Sequence, residues 1–155
     1  MDFVISCNQN LFSIMQIIRA FWKTIGWSAL VIILSAWSGE KINHVMALMP
    51  FENVDKIAHF GMYFIFTFLM MYDFNHFKSR SFPVIQIIIF SVATAVAFGG
   101  IMEILQSLPR LHRSTDIFDF LANTSGALTA VIAYKPINLV LSRITSNFTK
   151  PPRNF

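Results

Sequence analysis

HRSTDIFDFLANTSGALTAVIAY, residues 112–134, combines two kinds of helix. Its second half has the composition of a membrane-spanning helix, whereas its first half carries Asp116, Asp119 and Asn123. These residues lie at positions i, i+3 and i+7, so on an α-helix they form one stripe about two turns long. A polar stripe on a helix that enters lipid is expected to face a cavity or other helices rather than hydrocarbon.

The composition of the whole chain also indicates a membrane protein. Of the 155 residues, 55% are hydrophobic and 13% are charged, and the mean hydropathy is +0.57, outside the usual balance of a soluble domain. A spanning helix needs roughly 17–25 residues, so we predict an all-α membrane protein with a bundle of four transmembrane helices. The four apolar stretches, which reach this length with their flanks, are Phe21–Ser38, Ile57–Tyr72, Pro83–Leu105 and Ile117–Tyr134.

The two ends of the chain are predicted to lie outside this transmembrane domain, which we place at residues 20–134. Residues 1–19 lack the basic start of a signal peptide and have a broken apolar pattern, compatible with an N-terminal cytoplasmic segment or interfacial helix. Residues 135–155 contain three prolines and are predicted to form a basic cytoplasmic tail. Cys7 is the only cysteine, which excludes an intramolecular disulfide.

The distribution of cations predicts the orientation of the spans, because Lys and Arg are enriched in cytoplasmic loops. Both termini are predicted to be cytoplasmic. The net charge of +4 is then explained by topology and anionic headgroups, and no nucleic-acid partner is expected. The cytoplasmic side would hold eight cations and the opposite side four. The first group is Arg19, Lys23, Lys78, Arg80, Lys135, Arg143, Lys150 and Arg153, and the second is Lys41, Lys56, Arg110 and Arg113.

This topology brings polar residues from three segments to the extracytoplasmic side. Asp55 and His59 are four residues apart, and Glu103 and Gln106 three apart, so each pair shares a helix face. The Asp116 end of the last predicted span, which carries the polar stripe, is predicted to lie on this side as well. On the cytoplasmic side, Asp73, Asn75 and His76 are predicted to lie in a short loop.

Three ordered motifs carry a family resemblance: DKIAHFGMYFIF, then EILQ, then RSTDIFDFLANTSGAL. They resemble the VanZ-like family of small bacterial membrane proteins over residues 20–134. The resemblance implies a multi-pass protein of the bacterial cytoplasmic (inner) membrane, linked to the cell envelope and to glycopeptide resistance through tolerance to teicoplanin. The residues that match the family pattern are Asp55, Lys56, His59, Glu103, Gln106, Arg113, Asp116, Asp119, Asn123 and Gly126.

Two functional hypotheses follow for this set. In the first, the cluster binds an anionic, phosphate-bearing envelope lipid or precursor, and Lys56 and Arg113 hold the phosphate. In the second, the protein is an enzyme that modifies such a substrate, with Glu103 or Asp119 as catalytic base and His59 as proton partner. The residues assigned to substrate binding are Asp55, Lys56, Gln106, Arg113, Asp116 and Asn123.

A structural alternative remains beside these hypotheses. The stripe could fix only helix register, since interhelical hydrogen bonds average about 0.6 kcal/mol in membrane bundles. The protein would then be a structural or accessory subunit. Metal binding is left open: the acids and Asn123 are hard oxygen ligands, and His59 is a softer one, but no HExxH motif or cysteine pair is present. The sequence identifies no cofactor and no partner other than membrane lipids.

Overall fold

A computed structural model describes residues 14–36, 53–77, 82–107 and 116–148, with side chains as far as residue 144. All regular structure in these ranges is helical, so the predicted all-α class is confirmed for them. We number the five helices in chain order: α1 (Ile14–Ala20), α2 (Trp22–Ala36), α3 (Val54–His76), α4 (Val84–Gln106) and α5 (Ile117–Phe148).

Three of these helices, α3, α4 and α5, are each long and apolar enough to cross a membrane. Helix α2 has only 15 residues, and α1 and α2 meet at an angle of 73°. The two reach the length of a span only if the bent pair is taken together. The structure therefore gives three candidate spans, or four with the bent pair; the four-span bundle and the interfacial N-terminal helix remain predictions.

The outer surface of the bundle is apolar. Large aliphatic side chains point outward on each candidate span, among them Ile57 on α3, Ile104 on α4 and Ile132 on α5, which is 80% exposed. Such a surface is unfavourable in water and matches a hydrocarbon environment. The protein is therefore a multi-pass membrane protein.

Helix α3 is central and shares its largest interface with α5. The two backbones approach closely at Gly126, where an added Cβ would overlap the carbonyl oxygen of Phe60. The alanines that follow on the same face of α5, Ala127 and Ala130, are fully buried. Small residues in membrane helices permit such close approach, and van der Waals packing then stabilises the pair.

We expect Gly126→Ala to force α3 and α5 apart and to destabilise the protein by about 1–3 kcal/mol, as overpacking of an interior does. Gly61→Ala is the matched control, because nothing lies within 4 Å of its added Cβ. Thermal unfolding of the detergent-solubilised variants measures both changes. Equal unfolding temperatures for the two variants would contradict the close approach at Gly126.

Helix α5 is longer than the predicted fourth span. That span ends at Tyr134, whereas α5 continues through Lys135 and Pro136 to Phe148. Proline lacks an N–H donor and its ring crowds the carbonyl one turn earlier, but membrane helices tolerate it when neighbouring groups compensate. The first part of the predicted basic tail is therefore helical.

The end of the bundle opposite the polar stripe contains a cap between helices. Asp73 is fully buried and accepts hydrogen bonds from the Thr24 backbone N–H (3.1 Å), the Thr24 hydroxyl (2.8 Å) and Lys23 Nζ (3.1 Å). It thereby satisfies a backbone donor in the first turn of α2. The prediction that Asp73, Asn75 and His76 lie in a loop is wrong, since all three belong to the end of α3.

Candidate functional site

The polar residues singled out in the sequence meet at one end of the bundle. The first turns of α3 and α5 lie beside the last turns of α4, because α4 runs antiparallel to the other two helices. The residues that contact one another there are Asp55, Lys56, His59, Glu103, Asp116, Asp119 and Asn123, which we call the polar cluster.

Three buried side chains form the floor of the polar cluster. His59 Nδ1 lies 3.0 Å from Asn123 Oδ1, and Asn123 Nδ2 donates to Glu103 Oε1 at 3.3 Å. Asn123 is only 1% exposed, and His59 and Glu103 are similarly buried. One residue from each of three helices is thus joined in a hydrogen-bonded chain, which fixes the side-chain orientations.

The other ring nitrogen of His59 faces two carboxyl groups. Its Nε2 lies 3.8 Å from Asp55 Oδ1 and 3.9 Å from Asp119 Oδ2. The Asp119 side chain is 7% exposed, and its Oδ1 is buried without a hydrogen-bond partner among the described residues. A buried carboxylate oxygen in this condition is energetically unfavourable unless a cation or proton compensates it.

The rim of the cluster is a partly exposed ion pair. Lys56 Nζ lies 3.3 Å from Asp116 Oδ2 and 3.9 Å from Asp119 Oδ1, and both Lys56 and Asp116 are about one-third exposed. Lys56 also lies 5.9 Å from the centre of the Phe118 ring, within the range of a cation–π contact. The ammonium group is therefore the cluster's exposed cation among the described residues.

Asp116 also caps helix α5. Its Oδ1 accepts a hydrogen bond from the Phe118 backbone N–H at 2.9 Å. This hydrogen bond, aided by Lys56, lowers the pKa of the Asp116 carboxyl group below its ordinary value. The carboxylate therefore stabilises the fold above the ordinary pKa, and this contribution is lost as the pH falls through the lowered value.

Two residues of the predicted site are not placed in the cluster. Gln106 is buried, but its Nε2 donates to the carbonyl oxygen of Ser35 at 3.4 Å, so it links α4 to α2. Arg113 lies outside the described residues, as does Arg110. The assignment of Arg113 to a phosphate therefore stays a sequence-based prediction.

Gly99 supports the cluster in a way that the sequence analysis did not identify. A Cβ at Gly99 would come within 3.3 Å of Asn123 Cβ, Asn123 Nδ2 and the Tyr63 ring. The absence of a side chain leaves the space in which Asn123 reaches Glu103. A signal was available in the sequence, because Gly99 lies one turn before Glu103 and shares its helix face.

A cavity of about 380 Å³ lies at the opposite end of the bundle and is lined by Arg19, Lys23 and His76 among others. Lys23 is already paired there with Asp73. The lining residues of this cavity that the structure describes include no buried histidine bonded to an amide and an acid, as in the polar cluster. The polar cluster is therefore the stronger candidate site.

The cluster has the groups for two kinds of chemistry. A histidine held by an amide and flanked by acids can serve as a general acid or base. An ammonium group beside carboxylates can position the polar atoms of a headgroup. Both require access from the rim, where Asp55, Lys56 and Asp116 remain partly exposed.

Comparison with known proteins gives one match. The family model described as VanZ/LLP1 matches residues 3–141, which include every residue that carried the resemblance. This match confirms the predicted family and extends on both sides beyond residues 20–134. No curated protein and no solved structure matches the chain significantly.

Proposed function

The chain belongs to the VanZ/LLP1 family, and on that premise we propose that its polar cluster binds the headgroup of an anionic, phosphate-bearing lipid or lipid precursor of the cell envelope. One observation carries the proposal: a buried polar floor lies beneath a partly exposed rim at one end of the bundle. Ionisable groups buried within membrane-spanning helices are unfavourable without partners and commonly mark a functional site. Binding of this kind would link the protein to teicoplanin tolerance, as the resemblance implies.

The rim determines how a phosphate would enter. Lys56 is the partly exposed cation of the polar cluster, and Arg113 is the second cation that the sequence assigns to the phosphate. The headgroup's hydroxyl or amide groups would then face Asp55 and Asp116, whose carboxylates accept hydrogen bonds. The acyl or prenyl chains would lie along the apolar outer surface of the bundle.

The test compares a polyprenyl phosphate with the corresponding polyprenol, so that only the phosphate differs. We expect the purified protein in nanodiscs to bind the phosphate and not the alcohol. Lys56→Gln should weaken phosphate binding about tenfold, ~1.4 kcal/mol, because an interfacial charge-assisted contact is lost. The measurement is the dissociation constant, obtained from intrinsic tryptophan fluorescence.

Lys135→Gln is the control, since Lys135 is exposed and lies on α5 far beyond the polar cluster. Its affinity should match that of the unmodified protein. Equal binding of the alcohol and the phosphate would reject the proposal. Equal losses in the two lysine variants would do so as well, because they would indicate attraction by overall charge.

The location of the site depends on the orientation of the protein. We expect both termini to be cytoplasmic, because eight of the twelve Lys and Arg residues lie on that side of the predicted spans. A reporter fused after Phe155 that is active only in the cytoplasm should then be active. Activity of a periplasmic reporter at the same position would mean that the polar cluster lies on the cytoplasmic side. It would contradict binding of the lipid on the extracytoplasmic side of the membrane.

Catalysis on the same substrate is a second candidate, favoured by the contacts of His59. The imidazole lies 3.8 Å from Glu103 Oε1 and 3.9 Å from Asp119 Oδ2, close enough for proton exchange through one water molecule. In that case Glu103 or Asp119 is the base and His59 the proton partner. Mass spectrometry of the polyprenyl phosphate after incubation separates the two candidates, because only catalysis changes its mass.

A further inference from the structure

The orientation of Asn123 determines which nitrogen of His59 carries hydrogen. The Asn123 amide group donates to Glu103, so its oxygen faces His59 and accepts a hydrogen bond from Nδ1–H. In the neutral ring, Nε2 then carries the lone pair. A histidine held in this way, by a hydrogen bond from Nδ1–H, is the usual arrangement of a histidine that binds a metal through Nε2.

The atoms that face this lone pair are also electron donors. Asp55 Oδ1 and Asp119 Oδ2 lie 3.8 and 3.9 Å from Nε2, too far for direct hydrogen bonds. One donor atom from each of the three residues lies within 4.8 Å of the others. A point equidistant from three such atoms is roughly 2.1–2.5 Å from each, near the ~2.0–2.2 Å of metal–nitrogen and metal–carboxylate bonds.

The charge of the polar cluster also favours a bound cation. Among the described residues, four carboxyl groups face one ammonium group, and Glu103 and Asp119 are both more than nine-tenths buried. Asp119 Oδ1 makes no hydrogen bond to the described residues and lies 3.9 Å from Lys56 Nζ, while Asp119 Oδ2 is the oxygen that faces His59 Nε2. Buried anionic groups normally pair with cations or coordinate metals. A phosphate headgroup would add further negative charge, which a bound metal ion would help to neutralise.

We infer that Asp55, His59 and Asp119 form a binding site for a divalent transition-metal ion. The mixed set of one imidazole and two carboxylates suits Zn²⁺ or Mn²⁺ better than Ca²⁺, which prefers six to eight oxygen ligands. Asn123, itself bonded to Glu103, holds the His59 ring through Nδ1, on the side away from the metal. The ion would leave coordination positions open toward the rim, where a phosphate could bind, so the inference deepens the proposed function without depending on lipid.

The test uses the full chain in detergent, stripped with a chelator and titrated with Mn²⁺ in the absence of lipid. Electron paramagnetic resonance measures free Mn²⁺ and therefore the affinity. We expect one saturable site per chain and a rise in unfolding temperature with Mn²⁺ concentration. Asp55→Asn, His59→Gln and Asp119→Asn should each weaken the affinity about tenfold or more, and Asn123→Ala about 10–100-fold.

Asp116→Asn is the matched control, because it removes a neighbouring carboxylate that is not among the three ligands. Its affinity for Mn²⁺ should stay within about threefold of the unmodified value. Because Asp55 is partly exposed, the Asp55→Asn variant is expected to stay folded, so a loss of its Mn²⁺ affinity reports on the metal site itself. The absence of saturable Mn²⁺ binding would overturn the inference, as would equal losses in Asp116→Asn and Asp55→Asn or equally tight binding of Ca²⁺.

The outcome is separable from that of the proposed function. If the metal site is wrong, Mn²⁺ fails to bind while the polyprenyl phosphate still binds in the presence of chelator. If lipid recognition is wrong, Mn²⁺ binds with the expected pattern among the variants and the polyprenyl phosphate binds no better than the alcohol.

Discussion

Asp119→Asn is expected to abolish function while leaving the protein folded. The substitution preserves the shape of a side chain that is 7% exposed but removes its negative charge. A bound metal ion or a transferred proton depends on this charge, and we expect at least about a tenfold loss of Mn²⁺ affinity, ~1.4 kcal/mol. Teicoplanin tolerance of cells that express the variant should fall to the level of cells without the protein.

Stability is expected to change in the opposite direction. Burial of a charge whose compensation is incomplete is unfavourable, so a neutral amide at position 119 should leave the unfolding temperature in detergent unchanged or raise it. If Asp119 served only to fix helix register, the amide would still form an interhelical hydrogen bond and function would survive. Retained function, or loss of function together with unfolding, would therefore support a purely structural role for the polar stripe.

Asp73→Ala is expected to have the opposite signature, a loss of stability without a direct effect on the polar cluster. Asp73 is fully buried, and its removal leaves the Thr24 backbone N–H and hydroxyl without their acceptor. Hydrogen bonds to charged groups contribute about 1.5–3 kcal/mol each, and unpaired buried donors are costly. Because Lys23 is one-third exposed, its ion pair adds little, and we expect a total loss of about 2–4 kcal/mol.

The matched control is Asn75→Ala, since Asn75 is exposed in the same last turn of α3. Its free energy of unfolding should change by less than about 0.5 kcal/mol. Thermal or denaturant unfolding in detergent gives both values. An Asp73→Ala variant as stable as Asn75→Ala would show that α2 does not depend on this cap.

Much of the helical architecture could be predicted from local sequence. Each candidate span is a run of apolar residues, and its transfer into hydrocarbon depends mainly on the composition and length of that run. Three of the four predicted spans lie within, or nearly coincide with, single helices α3, α4 and α5. The remaining predicted span, Phe21–Ser38, matches the structure less well, because α2 is short and meets α1 at 73°.

The cap of α2 by Asp73 could not be predicted from local sequence. Helix α2 follows Ala20 and Phe21, which offer no side-chain acceptor for its first N–H groups, and this lack was a signal that an external acceptor is needed. The acceptor, Asp73, is 49 residues away from Thr24 in sequence. No local pattern connects the two, and a carboxylate near the end of an apolar run equally suggests a loop.

The amino-acid sequence alone determined the family, the all-helical class and the face on which Asp119 and Asn123 lie, because helical period and hydropathy are local properties of a chain. Only the tertiary structure decided how those residues are partnered. Glu103 and Asn123 meet because Gly99 leaves room between helices, Gln106 turns to Ser35 on α2, and His59 directs Nε2 toward two aspartates. These contacts depend on the distance and rotation between helices, which are set by packing across the whole bundle.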